Sequence, residues 1–454
     1  MMRGIYGMKI RDYILHVSLS LLVVISVVLT YMIWINPALN QRDQTTTTHE
    51  RTDVAGTIGT SISDIYAPNS LVYSNNEGQL YQLTSANIDL LGKVTTQLQQ
   101  WSPRRLKKET TSETAYRQKL HTKNALILNY AARINVPLFE KTLKKPIRAG
   151  AKNQRFRRVV VELNQAEHVY LLDDQTHTVY RLNLAKYKVA NFRALLKDKQ
   201  VERNLAEWTE VHHNYSLTYP KPVEVANYSY LVGTENSGIF VTRLLGSSSS
   251  NKINTKEEKE QTVYYDGDNQ RMVVDARHQT VAYTNYGTTT STTGRKQPTM
   301  SFVKTMTNNL TRLNALRMVL NDVRYDEYDT RTHTAIYRTY INSLPLISEE
   351  LYGAYKMQQL DNNGIKLTFS LYTFQAPLPA QPKTTTLIST RQLMQKLATN
   401  GYTENNISAI RLGYTWAQND GSKMVIDMQP TYFIKYEGNW LDCQLITNIK
   451  QDNE

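Results

Sequence analysis

Ser301-Phe302-Val303-Lys304 has the spacing most suggestive of chemistry in this 454-residue chain. S-x-x-K sets a serine nucleophile one helical turn from a lysine, the acylating pair of penicillin-binding proteins. Such enzymes also need S-D-N-like and K-T-G elements, and no K-T-G follows. Ser301 also opens an amphipathic stretch, so it reads as an ordinary helix start. The nine histidines contain no H-E-x-x-H, and His212-His213 is a bare pair in an expected loop. Asp266-Gly-Asp-Asn-Gln270 lacks the spaced ligands and terminal Glu of a calcium loop and reads as a turn. G-x-S-x-G and the glycine-rich phosphate loops are absent. Cys443 is the only cysteine, which excludes an intramolecular disulfide and a multi-Cys metal site. Inert burial is its expected state. The residues therefore point to no catalytic centre, no metal and no cofactor.

Tyr13 to Ile35 is a run of 23 residues without Asp, Glu, Lys or Arg. As a helix it would span ~34 Å, enough for a ~30 Å hydrocarbon core. Arg3, Lys9 and Arg11 precede it, so the positive-inside bias puts the N-terminus in the cytoplasm. Tyr31 and Trp34 suit the outer interface. No small-residue cleavage site follows, so the segment reads as an uncleaved anchor rather than a signal peptide. His16, near its inner end, reads as a snorkelling neutral imidazole. The rest of the chain is then exported. A large exported chain without cystine fits a Gram-positive bacterium.

The chain carries 53 Lys and Arg against 40 Asp and Glu, a net charge of +13. The segment from Trp101 to Arg158 holds 16 of these cations and only 3 acids. The excess belongs to one exported region, which argues against a nucleic-acid function. Its clusters include Arg104, Arg105, Lys107, Lys108, then Lys144 and Lys145, then Arg155, Arg157 and Arg158. These are the candidate contacts for an anionic wall polymer or lipid surface. A solvated face is the plainer reading.

Length implies about three domains. Residues 36–61 read as a flexible tether. Strands around Asn75-Asn-Glu-Gly78 read as a hairpin. Ile88, Leu91, Val94, Leu98 and Trp101 recur at helical spacing, and further helices are expected over Glu113 to Leu120 and Val189 to Lys199. Strands are expected at 158–163, 168–172 and 178–182. The serine run after Gly246 marks a boundary, giving segments 62–250, 251–380 and 381–454. A helix over Thr299 to Leu320 precedes strands at 323–328, 335–341 and 365–374. A helix over Ser389 to Ala398, stopped at Asn400-Gly401, precedes strands at 410–416, 424–428 and 431–436. Helix followed by antiparallel meander thus occurs twice. The fold class is α+β: a transmembrane helix, then three mixed α/β domains with antiparallel sheets, the last two alike.

The apolar segment ending VVLTYMIW, the tether and the APNS hairpin resemble the start of the YycH (WalH) family. FRRVVVEL, VYLLDD and VYRLNL, then VYYDGDNQRMVVDARHQTVAYTNY, resemble its middle. AIYRTYINSLPLI, then NISAIRLGYTW and MVIDMQPTYFIKYEGNW, resemble its later domains. The resemblance covers nearly the whole chain in order, and the Thr-rich and Ser-rich inserts match least. It implies a single-pass membrane protein that acts with a YycI-like companion on the sensor histidine kinase YycG (WalK), which controls cell-wall metabolism. It implies three exported domains, contact made largely through transmembrane helices, and no catalytic residues. Within the apolar run, Ser26 and Thr30 form a small-xxx-small pair, with Ser18 and Leu22 earlier on the same drifting stripe, the candidate partner-helix contact. A regulatory interaction protein is the first expectation, a polymer-binding envelope protein the second. An exported enzyme is disfavoured.

Overall fold

Alternating apolar residues build most of this molecule, and in its first sheet both faces are used. The structure is a computed structural model describing residues 59–447, apart from 150–152, 166, 186–187, 213, 247–252, 268, 288–299, 321 and 379–382, together with 19, 22 and 23. Most of the expected membrane segment, His16, Ser18, Ser26 and Thr30 included, lies outside the described residues, as do most of the tether and of the Ser-rich and Thr-rich inserts. Leu19, Leu22 and Val23 are helical and exposed. Among the described residues no helix is long and apolar enough to cross a membrane. Residues Met1–Thr57 and Ile58–Glu454 form separate units. All the sheets belong to the second.

Helix α1 (Ile62–Ile65) leads into β1 (Ser70–Ser74), β2 (Leu80–Thr84), α2 (Leu90–Gln100), β3 (Pro103–Thr111) and α3 (Glu113–Leu120). Next come β4 (Ala125–Asn135), α4 (Val136–Leu143), β5 (Arg148–Ala149), β6 (Arg155–Glu162), β7 (His168–Asp173), β8 (Thr178–Leu184), α5 (Val189–Lys197), β9 (Glu202–Val211) and β10 (Asn214–Thr218). These strands form one sheet in the order β10-β9-β2-β1-β4-β6-β7-β8-β3-β5. Pairing is antiparallel except between β3 and β5. Leu71, Leu126, Leu128, Val159, Val161 and Leu171 point to a core shared with α2, α4 and α5. Their neighbours Val72, Ile127, Val160, Tyr170 and Leu172 point the other way, onto Tyr116 and Leu120 of α3. This is the period-2 geometry of a strand covered on both faces.

Strands β11 (Val223–Ala226) and β12 (Tyr228–Thr234) follow, then the short helix α6 (Ser237–Phe240). A nine-stranded sheet is built from β13 (Asn254–Glu258), β14 (Gln261–Tyr265), β15 (Gln270–Asp275), β16 (Thr280–Asn285), β17 (Val323–Asp329), β18 (Thr334–Ile341), β19 (Leu344–Pro345), β20 (Ala354–Gln359) and β21 (Ile365–Ser370). Helix α7 (Phe302–Ala315) covers one face, burying Met306 and Leu313 against Ala335, Tyr337, Met357 and Leu367. It is shorter than expected: Arg317 adopts φ 51, a left-handed conformation that ends the helix. The Tyr66 hydroxyl donates to Met306 O at 2.7 Å and lies 2.8 Å from the Tyr337 hydroxyl. The helical layers of the two large sheets therefore share one core.

The remaining elements are β22 (Tyr372–Pro377), β23 (Thr384–Leu387), α8 (Thr390–Thr399), β24 (Ile407–Gln418), β25 (Val425–Tyr436), β26 (Asn439–Asp442) and α9 (Cys443–Thr447). Ser389 and Gln392 form a capping box on α8, and Gly401 at φ 86 follows it, as the residue types require. Sheet membership differs from the expected segmentation. Strand β11 pairs with β23 in a separate two-stranded sheet, while β12 pairs with β25 and β22 and so completes the sheet of β22, β24, β25 and β26. The nine-stranded sheet is inserted between adjacent strands of that last sheet. The repeated order is present: α7, β17 and β18 correspond to α8, β24 and β25. The chain is thus mixed α and β with antiparallel sheets and several domains.

Candidate functional site

The residues singled out for chemistry have structural employment. Ser301 is the N-cap of α7, its hydroxyl accepting from Lys304 N at 3.4 Å, so the S-x-x-K spacing is a helix cap. Asp266 Oδ1 accepts from the backbone N–H groups of Asn269 and Gln270, closing the expected turn. His212, at φ 48, bonds the Asn405 carbonyl. His213 lies outside the described residues. Cys443 is buried, and that burial pushes its thiol well above the ordinary range. Among the described residues no three His, Cys, Asp or Glu side chains gather as metal ligands.

The basic run divides by position. Arg104, Arg105, Lys107 and Lys108 are exposed on β3, where only Leu106 between them is buried. The two-residue β5 is all that lies beyond β3, so the four cations flank a near-edge strand, where charge also blocks edge-to-edge pairing. Lys144 is exposed at the left-handed C-cap of α4. The expectation that all nine cations form one anionic-contact surface needs correction. Lys145 is tied to Trp101 O at 2.6 Å. Arg155 lies over the Phe302 ring at 5.2 Å. Arg157 donates from Nε to Tyr130 O at 3.1 Å, with Nη1 3.6 Å from Asp174. Arg158 is 0% exposed and cannot meet any polymer. It is ion-paired to Asp174, donates to Tyr116 Oη at 2.9 Å and Tyr215 O at 2.7 Å, and lies 4.5 Å from the Trp208 ring. Burial alone would lower its pKa, but Asp174 reverses this and keeps it raised. The sheet pleat turns one arginine of an Arg-Arg pair inward, which charge counting does not reveal.

A cleft of about 1290 Å³ is lined by all three large sheets. One of its walls is the face of the nine-stranded sheet that α7 does not cover, with Thr334, Ile336, Lys356 and Gln358. Arg133, Arg155 and Arg157 line it from the first sheet, and Ser408 to Leu412 from β24. At its base sits an ion cluster. A β-bulge in β17 shifts the register between Tyr325 and Glu327. Such a bulge re-aims side chains, and Asp326 and Glu327 both reach one set of cations. Arg411 is bidentate to Asp326, at 2.8 and 3.0 Å. Arg338 donates to Asp326 at 2.8 Å and to Glu327 at 3.1 Å. The Tyr340 hydroxyl completes Asp326 at 2.5 Å. Lys435 Nζ and Trp440 Nε1 each donate to Glu327 at 2.6 Å, and Arg411 stacks on the Trp440 ring at 3.9 Å. Burial would raise the Asp326 carboxyl, but Arg411 and Arg338 outweigh it and hold the group well below the ordinary range. Glu327, buried beside Asp326, is likewise lowered by Arg338, Arg411 and Lys435. Nothing here is positioned to abstract a proton or attack a substrate: each carboxylate is saturated by cations. The cluster joins β17 to β24, the first strands after the two corresponding helices. It went unnoticed in the sequence, since an Asp-Glu pair in a strand reads as solvated and its partner Arg411 is 85 residues away.

Residues 13–201 match the family model described as YycH protein, N-terminal domain, and residues 217–450 match YycH protein, C-terminal domain. Among solved structures, the crystal structure of YycH from Bacillus subtilis superposes with a TM-score of 0.67 at 14% identity, over 85% of this chain and 97% of that one. At that identity the likeness shows a shared fold. No curated protein matches.

Proposed function

The chain belongs to the YycH family, and from this premise we propose that it is a membrane-anchored extracytoplasmic regulator of an essential sensor histidine kinase of the YycG (WalK) type. The observation that carries this reading is the pair of family domains running through 13–201 and 217–450. In it, residues 13–35 cross the membrane with the N-terminus inside, and 59–447 lie outside. Ser18, Leu22, Ser26 and Thr30 form the face that meets the kinase and a YycI-like partner helix. Regulation is a population shift: the chain binds one kinase conformation more tightly and raises its share.

The test compares cells carrying the full chain, a chain without residues 1–35 given a cleavable export signal, and the anchor alone. Transcription of the kinase's target genes is the readout. The anchor alone is expected to retain most of the effect, and the anchorless chain little. Ser26→Leu with Thr30→Leu should reduce kinase co-purification at unchanged membrane insertion. Equal kinase output in all strains, the chain-deleted one included, would defeat the regulatory reading.

A second reading is favoured by one observation, the four exposed cations of β3. It makes the chain an envelope protein that binds anionic wall polymer or lipid. Changing Arg104, Arg105, Lys107 and Lys108 to Gln should weaken co-sedimentation with anionic vesicles or purified wall polymer several-fold, with melting unchanged. Unaltered sedimentation removes this reading.

A further inference from the structure

The charges lining the cleft are unequally occupied. Its innermost carboxylates, Asp174, Asp326 and Glu327, are each held by cations. On the cationic side, Arg155, Arg331 and Lys356 line the cleft with no salt bridge among the described residues, the nearest carboxyl to Arg331 being Asp329 of its own turn, which it helps to lower. Arg155 is held by the Phe302 ring, and Arg331 in the β17–β18 turn and Lys356 on β20 are exposed. The cleft therefore presents open positive positions along its length.

Its size and walls narrow the occupant. About 1290 Å³ exceeds the roughly 300–1,000 Å³ of a small-molecule pocket and suits an extended segment. Three of the strands lining it, β10, β17 and β24, end three different sheets. The β24 edge is partly taken already, Ile410 N donating to Ser216 Oγ at 3.3 Å and Tyr414 O accepting from Ile347 N at 2.9 Å, which leaves β17 and the rest of these edges to a ligand. A sheet edge is where an extended peptide adds by main-chain pairing, with its alternate side chains read by the walls. A polymer charged at every unit would also have to pass Asp329 and Glu437 on the same lining. A peptide with intermittent acids avoids that repulsion and can use the edges. Tyr328 and Trp440 add aromatic surface for its uncharged side chains.

We propose that this cleft binds an extended acidic peptide segment of a partner protein, with the peptide's carboxylates against Arg155, Arg331 and Lys356. The proposal rests on the regulatory reading above only in that the partner is a protein.

The experiment uses the full chain in detergent micelles and a fluorescein-labelled ten-residue peptide alternating Glu and Thr. The matching Lys/Thr peptide and a polyphosphate of similar length are the comparisons, with anisotropy as the readout. Saturable binding of the Glu/Thr peptide is expected, falling with salt, with no binding of the Lys/Thr peptide. Arg155→Glu with Arg331→Glu should weaken it at least about tenfold, since reversed charges repel the same carboxylates. Neither residue forms a salt bridge among the described residues, and Arg331 acts only on the exposed Asp329 of its own turn, so the melting temperature of the double variant should be close to that of the parent. Arg155→Gln with Arg331→Gln provides a milder pair should the reversal unfold the chain. Three results overturn the proposal: no saturable binding, binding indifferent to both double variants, or polyphosphate binding more tightly with the same dependence on Arg155 and Arg331. If one of these occurs while the chain still alters kinase output, the cleft assignment fails alone and the regulatory reading stands.

Discussion

Asp326→Ala is expected to destabilise the chain by about 3–5 kcal/mol, the range for breaking a buried ion pair by removing one partner. The carboxylate is 0% exposed and accepts bonds from Arg411, Arg338 and Tyr340. Alanine would leave two guanidinium groups to share Glu327 alone. Because Asp326 ties β17 to β24, the loss should also uncouple their sheets. In urea, followed by tryptophan fluorescence, the parent's shared transition should divide, with the Trp440 environment lost first. A single unshifted transition would show the cluster to be energetically neutral. The same carboxyls make the fold acid-sensitive. Burial raises them, yet Arg411 and Arg338 for Asp326, and those two with Lys435 for Glu327, leave both below their ordinary values. Their contribution is complete above the unfolded pKa, about 4, and is lost as pH falls through the depressed folded values. The urea midpoint should therefore drop as pH falls below about 5, and drop less in Asp326→Ala.

Arg158→Leu is the second large expected effect, again about 3–5 kcal/mol, because it strands the buried Asp174. Arg157 remains 3.6 Å from that carboxylate and replaces little of the lost pairing. Arg158→Lys should recover only part of the loss, since one ammonium cannot serve Asp174, Tyr116 Oη and the Tyr215 carbonyl as a planar fork does. By contrast, Arg104→Leu, in the same basic segment but exposed on β3, should change stability by less than about 0.5 kcal/mol. Thermal melts of the three variants check the ordering. Equal effects at 104 and 158 would mean that burial does not separate them.

What was legible in the sequence was local. Leu91, Val94 and Leu98 mark α2 by spacing alone, Glu113 to Leu120 is a helix with the expected bounds, and Ser389 with Gln392 announces the cap of α8. Hydrophobic period and caps are properties of neighbours, so one sequence suffices to read them. Strands β9 to β12 carry few apolar residues to mark them: β9 buries only Ala206 and Trp208, and β11 is a four-residue Val-Glu-Val-Ala alternation too short to stand out. The boundary near residue 250 failed to mark sheet membership because β12 pairs with a strand roughly two hundred residues away, and no local pattern encodes a partner at that distance. The candidate site suffered most. Charge density picked out Arg157 and Arg158 with Arg104, yet the pleat and a bulge decide which charges face water, which face a cleft and which are sealed inside.

The insertion of the nine-stranded sheet between β12 and β22 has a consequence for how the protein is made. Synthesis proceeds from the N-terminus, and domains generally fold as they emerge. The first sheet has all its strands once residue 218 is out, and the nine-stranded sheet once residue 370 is out. Strand β12 has neither neighbour until 372–377 appears, and its long partner β25 comes only with 425–436. The Asp326 carboxylate must likewise wait for Arg411. Until the last fifth of the chain arrives, the growing polypeptide carries an unpaired strand and an incompletely compensated buried acid, so chaperones have a defined window in which to hold it. A chain cut short after residue 420 should be degraded as though wholly misfolded, although two of its three large sheets could already be built.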